Sequence, residues 1–178
     1  MGKFKPDKLK GKRLLDIGTG AGLPGILLSI LLPESEIILL DKSMKKSSFL
    51  KESLEILELN NASVLTGRAE ELSRKKQYRE NFDIVTARAV TKFNILMELA
   101  IPFCNINGKI IFYKSKKVFE EIKEHGKAIS MLGGEFEELV TVDVPGLEGF
   151  RAFLIINKGK RTLLKYPRNF AQIKKNPL

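Results

Sequence analysis

An α/β fold around a mostly parallel sheet of seven strands, ending in a C-terminal antiparallel hairpin, is predicted by three observations. Strand-like apolar runs alternate with helical periodicities through the first five strands, which is the pattern of parallel βαβ units. The first run, Leu14-Leu15-Asp16-Ile17, breaks into Gly18-Thr19-Gly20-Ala21-Gly22-Leu23-Pro24-Gly25, a glycine loop that opens a helix. The last two runs are separated only by Pro145-Gly146-Leu147-Glu148-Gly149, which has no room for a helical crossover, so they pair antiparallel.

Strands are expected at Arg13–Ile17, Glu36–Leu40, Ser63–Leu65, Phe82–Thr86, Lys109–Tyr113, Glu137–Val144 and Phe150–Asn157. The apolar stretch Leu23 to Leu32 supplies the first helix, with Pro24 suited to its first turn. Ser43 precedes Phe49, Leu50, Leu54 and Leu57 at helical spacing, and Asn60-Asn61 ends that helix. Ile95, Leu96, Leu99 and Ala100 mark another helix. Val118, Ile122, Ile129 and Leu132 mark an amphipathic one that stops at Gly133-Gly134.

With 178 residues and 43% hydrophobic content, the chain can build one continuous core. Residues 14–158 form this domain, between a basic lead-in, 1–13, and a basic tail, 159–178. The apolar stretch of the first helix is too short to span a bilayer and no signal-peptide pattern precedes it, so a cytoplasmic protein with no membrane partner is expected. Cys104, the one cysteine, excludes an internal disulfide and reads as a small buried hydrophobe. His125 reads as a solvated residue near a helix end, and no metal site is expected.

Of the net charge of +10, the first 13 residues hold six bases and one acid, while residues 158–178 hold seven bases and no acid. The middle is therefore slightly acidic, and the two ends suit a polyanionic partner. Lys160, Arg161, Lys165, Arg168, Lys174 and Lys175 are the candidate RNA-binding residues.

The glycine loop points to a nucleotide-like cofactor. Gly20, Gly22 and Gly25 fit the G-x-G-x-x-G of dinucleotide folds, but only in a late register. The register that starts at the strand end is Asp16-x-Gly18-x-Gly20-x-Gly22, the pattern of Rossmann-like, class I S-adenosylmethionine-dependent methyltransferases. A carboxylate under the loop would repel a pyrophosphate and favour the methionine ammonium and sulfonium. Asp41, nineteen residues after Gly22, is placed to accept hydrogen bonds from ribose hydroxyls, and backbone groups of Ala69 and Glu70 could read the adenine edge. Cofactor contacts are therefore expected from Asp16, Gly18, Gly20, Gly22 and Asp41, with Ala69 and Glu70 placed to join them, while Arg88 could contact the cofactor or hold the RNA.

The segment Thr86-Ala87-Arg88-Ala89-Val90 ends the strand from which methyltransferases address their target. It holds no acidic or Asn/Ser-Pro-Pro-aromatic element and no cysteine nucleophile. An acceptor needing no deprotonation, such as guanine N7, suits such a site, because its in-plane lone pair requires alignment and desolvation more than a general base. Arg88 and Lys114 are the catalytic candidates.

These residues resemble one family. Leu15 to Ile26, Leu39-Leu40-Asp41-Lys42-Ser43, Gly67-Arg68-Ala69-Glu70-Glu71, Thr86 to Val90 and the ending Tyr166-Pro167-Arg168 with Lys174-Lys175-Asn176-Pro177-Leu178 are similar to the glucose-inhibited division protein B family. The resemblance implies methyl transfer from S-adenosylmethionine to N7 of one guanine in the 530 loop of 16S ribosomal RNA, within the small ribosomal subunit. It also implies cofactor contacts at Gly18, Leu23, Ala69, Glu70 and Arg88. Family members carry a helical segment ahead of the first strand, where this chain has only Met1 to Lys12. Two alternatives follow: a shortened cofactor- or RNA-binding module without transfer activity, in which Lys3, Lys5, Lys8, Lys10 and Lys12 keep some RNA contact, and an NAD(P)-dependent oxidoreductase.

Overall fold

The computed structural model describes residues 9–88, 90–146 and 148–178. Among these residues seven strands form one sheet: β1 (Arg13–Ile17), β2 (Glu36–Asp41), β3 (Ala62–Thr66), β4 (Phe82–Arg88), β5 (Cys104–Lys114), β6 (Gly134–Val142) and β7 (Arg151–Lys158). Their spatial order is β3-β2-β1-β4-β5-β7-β6. The first five are parallel, and β7 enters antiparallel between β5 and β6, with Lys109 opposite Asn157 and Gly134 opposite Lys158. The expected hairpin is thus present, and its second strand lies inside the edge.

Among the described residues six α-helices flank the sheet: α1 (Gly25–Leu31), α2 (Met44–Ile56), α3 (Ala69–Leu72), α4 (Phe93–Ala100), α5 (Val118–Met131) and α6 (Phe170–Lys175). The central strands are apolar on both faces because each face is covered. Leu14, Ile37, Leu39 and Ile84 belong to one cluster with Leu50 and Leu54 of α2. Leu15, Ile38, Val85 and Phe112 belong to the opposite cluster with Leu96 of α4 and Ile129 of α5. Ser43 caps α2 by accepting the Lys46 N–H at 3.4 Å, as its sequence position suggests.

Cys104 is fully buried, and burial pushes its thiol up to about 12. It begins β5, after a short 3-10 turn, Ile101–Phe103. His125 lies inside α5 rather than near its end, with its ring 6.1 Å from that of Phe93. The periodicity that ends at Leu132 carries the helix through Gly126. No helix among the described residues is long and apolar enough to cross a membrane.

Residues 159–178 pack onto the domain. Buried Lys158 donates to Glu80 at 2.9 Å and to the Cys104 carbonyl at 3.2 Å, while Glu80 also accepts the Thr162 N–H at 2.7 Å. The Arg79 guanidinium donates to the carbonyls of Thr162 and Tyr166 at 2.8 and 2.9 Å. Arg168 forks onto the fully buried carboxylate of Glu98 in α4. Burying those charges as pairs avoids the cost of isolated ones.

Candidate active site

The strand order reverses direction between β1 and β4, and in open α/β sheets the crevice outside the strands' carboxyl ends at such a point is where ligands bind. A cavity of about 340 Å³ lies there. Gly18 after β1, Asp41 at the end of β2, Ala69 and Glu70 in α3, and Val90 and Thr91 after β4 line it. Its lining is mixed in character: Asp41, Lys42, Lys46, Arg68 and Glu70 are charged, whereas Val90, Leu99 and Phe170 are apolar. A wider hollow beside α2 and β3, lined by Lys51, Glu55, Glu58 and Asn60, contains none of the residues expected from sequence to act.

Left-handed backbone shapes the glycine loop, with φ of +64°, +63° and +94° at Gly18, Gly20 and Gly22. A Cβ on Gly18 would come within 2.8 Å of the Val90 side chain, and one on Gly22 within 2.3 Å of Ile26. The loop's N–H groups are largely engaged within the protein. Gly18 and Thr19 donate to the Leu40 carbonyl at 2.7 and 3.2 Å, Gly22 and Leu23 to that of Thr19 at 3.0 and 3.2 Å, and Gly20 to Asp41 Oδ2 at 3.1 Å. Donors spent in this way cannot cradle a pyrophosphate, which weakens the dinucleotide alternative.

Asp41 is buried and gathers the site. Besides Gly20, its carboxylate accepts the Ser43 N–H at 2.9 Å and lies 3.8 Å from Lys46 Nζ. Each carboxylate oxygen has two acceptor positions, so room remains for further donors such as vicinal hydroxyls. Asp16 sits beneath the loop and is not among the residues lining the cavity. Its Oδ2 accepts the first helical N–H of α1, from Gly25, at 3.0 Å, and its Oδ1 accepts the Thr86 hydroxyl at 3.0 Å. Burial raises its pKa to about 6, partly offset by those hydrogen bonds and by the nearby Arg88 charge.

Four of the sequence candidates, Gly18, Asp41, Ala69 and Glu70, therefore share the cavity wall. Gly20 braces Asp41, while Gly22 and Leu23 shape the loop behind. Exposed Arg88 stands at the end of β4, outside the cavity lining. Lys114 is not among the residues lining the cavity: its Nζ pairs with Glu121 at 2.8 Å and lies 4.0 Å from the centre of the Phe93 ring, which ties α5 and α4 to the sheet. Among the described residues no group of three His, Cys, Asp or Glu could hold a metal ion.

The proposed RNA contacts divide into separate places. Lys160 follows β7 at the edge where the parallel strands begin, its N–H donating to the Gly133 carbonyl at 3.0 Å, and exposed Arg161 is next to it. Lys174 and Lys175 are exposed at the end of α6, the helix whose Phe170 lines the cavity. Lys165 is exposed, whereas Arg168 is the partner of Glu98. Lys3, Lys5 and Lys8 lie outside the described residues. Sequence reasoning missed Lys46, Arg68, Leu99 and Phe170. The Ser43 cap places Lys46 one turn into α2, but no local pattern announces Phe170.

The model of the rRNA small subunit methyltransferase G family, GidB, matches residues 4–146. A ribosomal RNA small subunit methyltransferase G from Lachnoclostridium phytofermentans is 45% identical over 168 residues, which cover 94% of this chain and 69% of that protein. Among solved structures, a predicted O-methyltransferase from Agrobacterium tumefaciens has a TM-score of 0.67 at 20% identity, covering 85% of this chain and 76% of the other. A SAM-dependent methyltransferase from Aquifex aeolicus gives 0.64 at 18% identity, covering 85% and 89%. These two likenesses establish the fold, a mostly parallel seven-stranded α/β sheet closed by antiparallel strands.

Proposed function

The chain belongs to the rRNA small subunit methyltransferase G family, and from that membership we propose methyl transfer from S-adenosylmethionine to N7 of a guanine in the 530 loop of 16S ribosomal RNA, within the small subunit. S-adenosylmethionine-dependent methylation of ribosomal RNA is the activity of that family. The observation that carries it is the buried Asp41 carboxylate, which accepts the Gly20 N–H in the wall of a cavity that also presents the apolar side chains of Val90, Leu99 and Phe170.

The cavity fits a nucleoside with a cationic amino-acid arm. Asp41 offers acceptors to ribose hydroxyls, and the backbone of Ala69 and Glu70 can meet the base edge. Asp16 adds a buried negative charge below the loop, which favours a cation over a phosphate. When bound, S-adenosylmethionine supplies a methyl group on a positively charged sulfur.

Guanine N7 carries an in-plane lone pair and no proton, so the new C–N bond would form as the methyl–sulfur bond breaks and S-adenosylhomocysteine leaves, with no proton having to depart first. The chain then needs to align the base, exclude water and balance charge. Arg88 stands at the end of β4, where it can hold RNA phosphate or the base. The hydrogen bond from Thr86 to Asp16 fixes that strand end against α1.

The test is incubation of the purified chain with methyl-labelled S-adenosylmethionine and small ribosomal subunits that lack the modification, alongside titration with S-adenosylhomocysteine and with NADH. Label in 16S RNA and binding of S-adenosylhomocysteine in preference to NADH are expected. Binding of S-adenosylhomocysteine with no transfer would favour a binding module, and preference for NADH would overturn the cofactor reading.

A further inference from the structure

The segment that the sequence sets apart as a basic tail supplies a wall of the cavity. Phe170, the first residue of α6, lines it together with Leu99 of α4. We infer that Phe170 is a binding residue for the cofactor's adenine ring, making the C-terminal segment part of the cofactor site. This rests on the proposed use of S-adenosylmethionine.

Three observations support it. The ring is rigidly presented: just ahead of it the Arg168 N–H and guanidinium bind Glu98 at 2.7 and 2.6 Å, and Asn169 caps α6 by accepting the Gln172 N–H at 2.9 Å. Just after it, Ile173 is fully buried against Ile95 and Leu99. Between these anchors Phe170 is only half-buried, which leaves aromatic surface open where it borders the cavity.

The chemistry of the walls orients a nucleoside. Its hydroxyl-bearing sugar belongs at Asp41, so the flat base falls toward Val90, Leu99 and Phe170, the apolar part of the lining. A purine has a π-face that an aromatic ring matches better than an aliphatic chain of similar bulk. Because the ring is already anchored, stacking on it costs little ordering of the protein.

The experiment is calorimetric titration of S-adenosylhomocysteine into the full chain and into Phe170→Ala, Phe170→Leu and Phe170→Trp, with thermal melts of each. Phe170→Ala is expected to raise the dissociation constant about tenfold, because one base–aromatic stack is removed. Phe170→Leu, which keeps apolar packing on Ile95 and Leu99, should melt near the unaltered chain yet still bind several-fold more weakly, while Phe170→Trp restores affinity. In methyl transfer, KM for S-adenosylmethionine should rise with kcat unchanged, and 5′-methylthioadenosine, which lacks the amino acid, should lose the same factor.

If Phe170→Ala fails to fold, the leucine and tryptophan variants decide. Unchanged affinity in Phe170→Leu, or failure of Phe170→Trp to bind better than leucine, overturns the inference. If the unaltered chain itself binds no S-adenosylhomocysteine, the cofactor reading falls and this inference with it, an outcome recognisable because every variant is then equally silent.

Discussion

The carboxylate of Asp41 accepts the backbone N–H of Gly20 at 3.1 Å, joining the end of β2 to the glycine loop 21 residues earlier in the chain. The same side chain accepts the Ser43 N–H at 2.9 Å. One acid thus fixes the loop, starts α2 and leaves acceptor positions facing the cavity.

Substitution of Asp41 by Ala should weaken S-adenosylhomocysteine binding by tenfold or more, because each charge-assisted hydrogen bond to a ribose hydroxyl contributes about 1.5–3 kcal/mol. Calorimetry reads this directly. Equal affinity in the variant would remove Asp41 from the ribose site.

Asp16 gives a pH dependence with a definite sign. Its pKa is about 6 in the folded chain against 3.8 for an unburdened aspartate, so between these values the folded state holds a proton that the unfolded state has released. Its contribution to stability is therefore full below about pH 4 and is lost as pH rises through 6, by on the order of 3 kcal/mol. Melting Asp16→Asn beside the unaltered chain from pH 4 to 7 should show the unaltered chain losing ground as pH rises. A pH-independent difference would contradict the assignment.

Glu98 is fully buried, and among the described residues Arg168 is the cation placed on it. Arg168→Ala should cost about 3–5 kcal/mol in denaturant unfolding, because it leaves a buried carboxylate uncompensated. Replacing the pair together, as Glu98→Leu with Arg168→Met, should cost less than the single change. A single-variant loss below about 1 kcal/mol, the size of an exposed pair, would show that the clamp contributes little.

What is legible in the sequence depends on where the information lies along the chain. The alternation of apolar runs and helical spacings is local, so the strand positions, the hairpin and the Ser43 cap can be read directly. The glycine loop and Asp41 are legible for the same reason: a tight turn and a strand end each announce themselves within a few residues. The partners of Lys114, Glu121 and Phe93, are not legible because they are fixed by how α4 and α5 pack, which no short window contains. The tail reads as an appendage because its basic composition hides the half-buried Glu80 and the buried Glu98 that receive it. Phe170 becomes a site residue only when that tail folds back.

The division of the basic residues makes a prediction for RNA binding. Replacing Lys174 and Lys175 by Ala should lower the slope of log affinity against log salt by about 0.7 for each phosphate that these lysines neutralise. Replacing Lys160 and Arg161, near the opposite edge of the sheet, should leave the slope unchanged. The reverse result would move the RNA path away from α6.

The most direct measurement is to map the methyl group after reaction with S-adenosylmethionine and unmodified small subunits, using reductive chain cleavage, which cuts at the cationic N7-methylguanine ring. One new cut is expected, in the 530 loop of 16S ribosomal RNA, dependent on the intact Asp41. Methyl incorporation without a reductive cut, or a cut elsewhere in the RNA, would contradict N7 methylation of that loop.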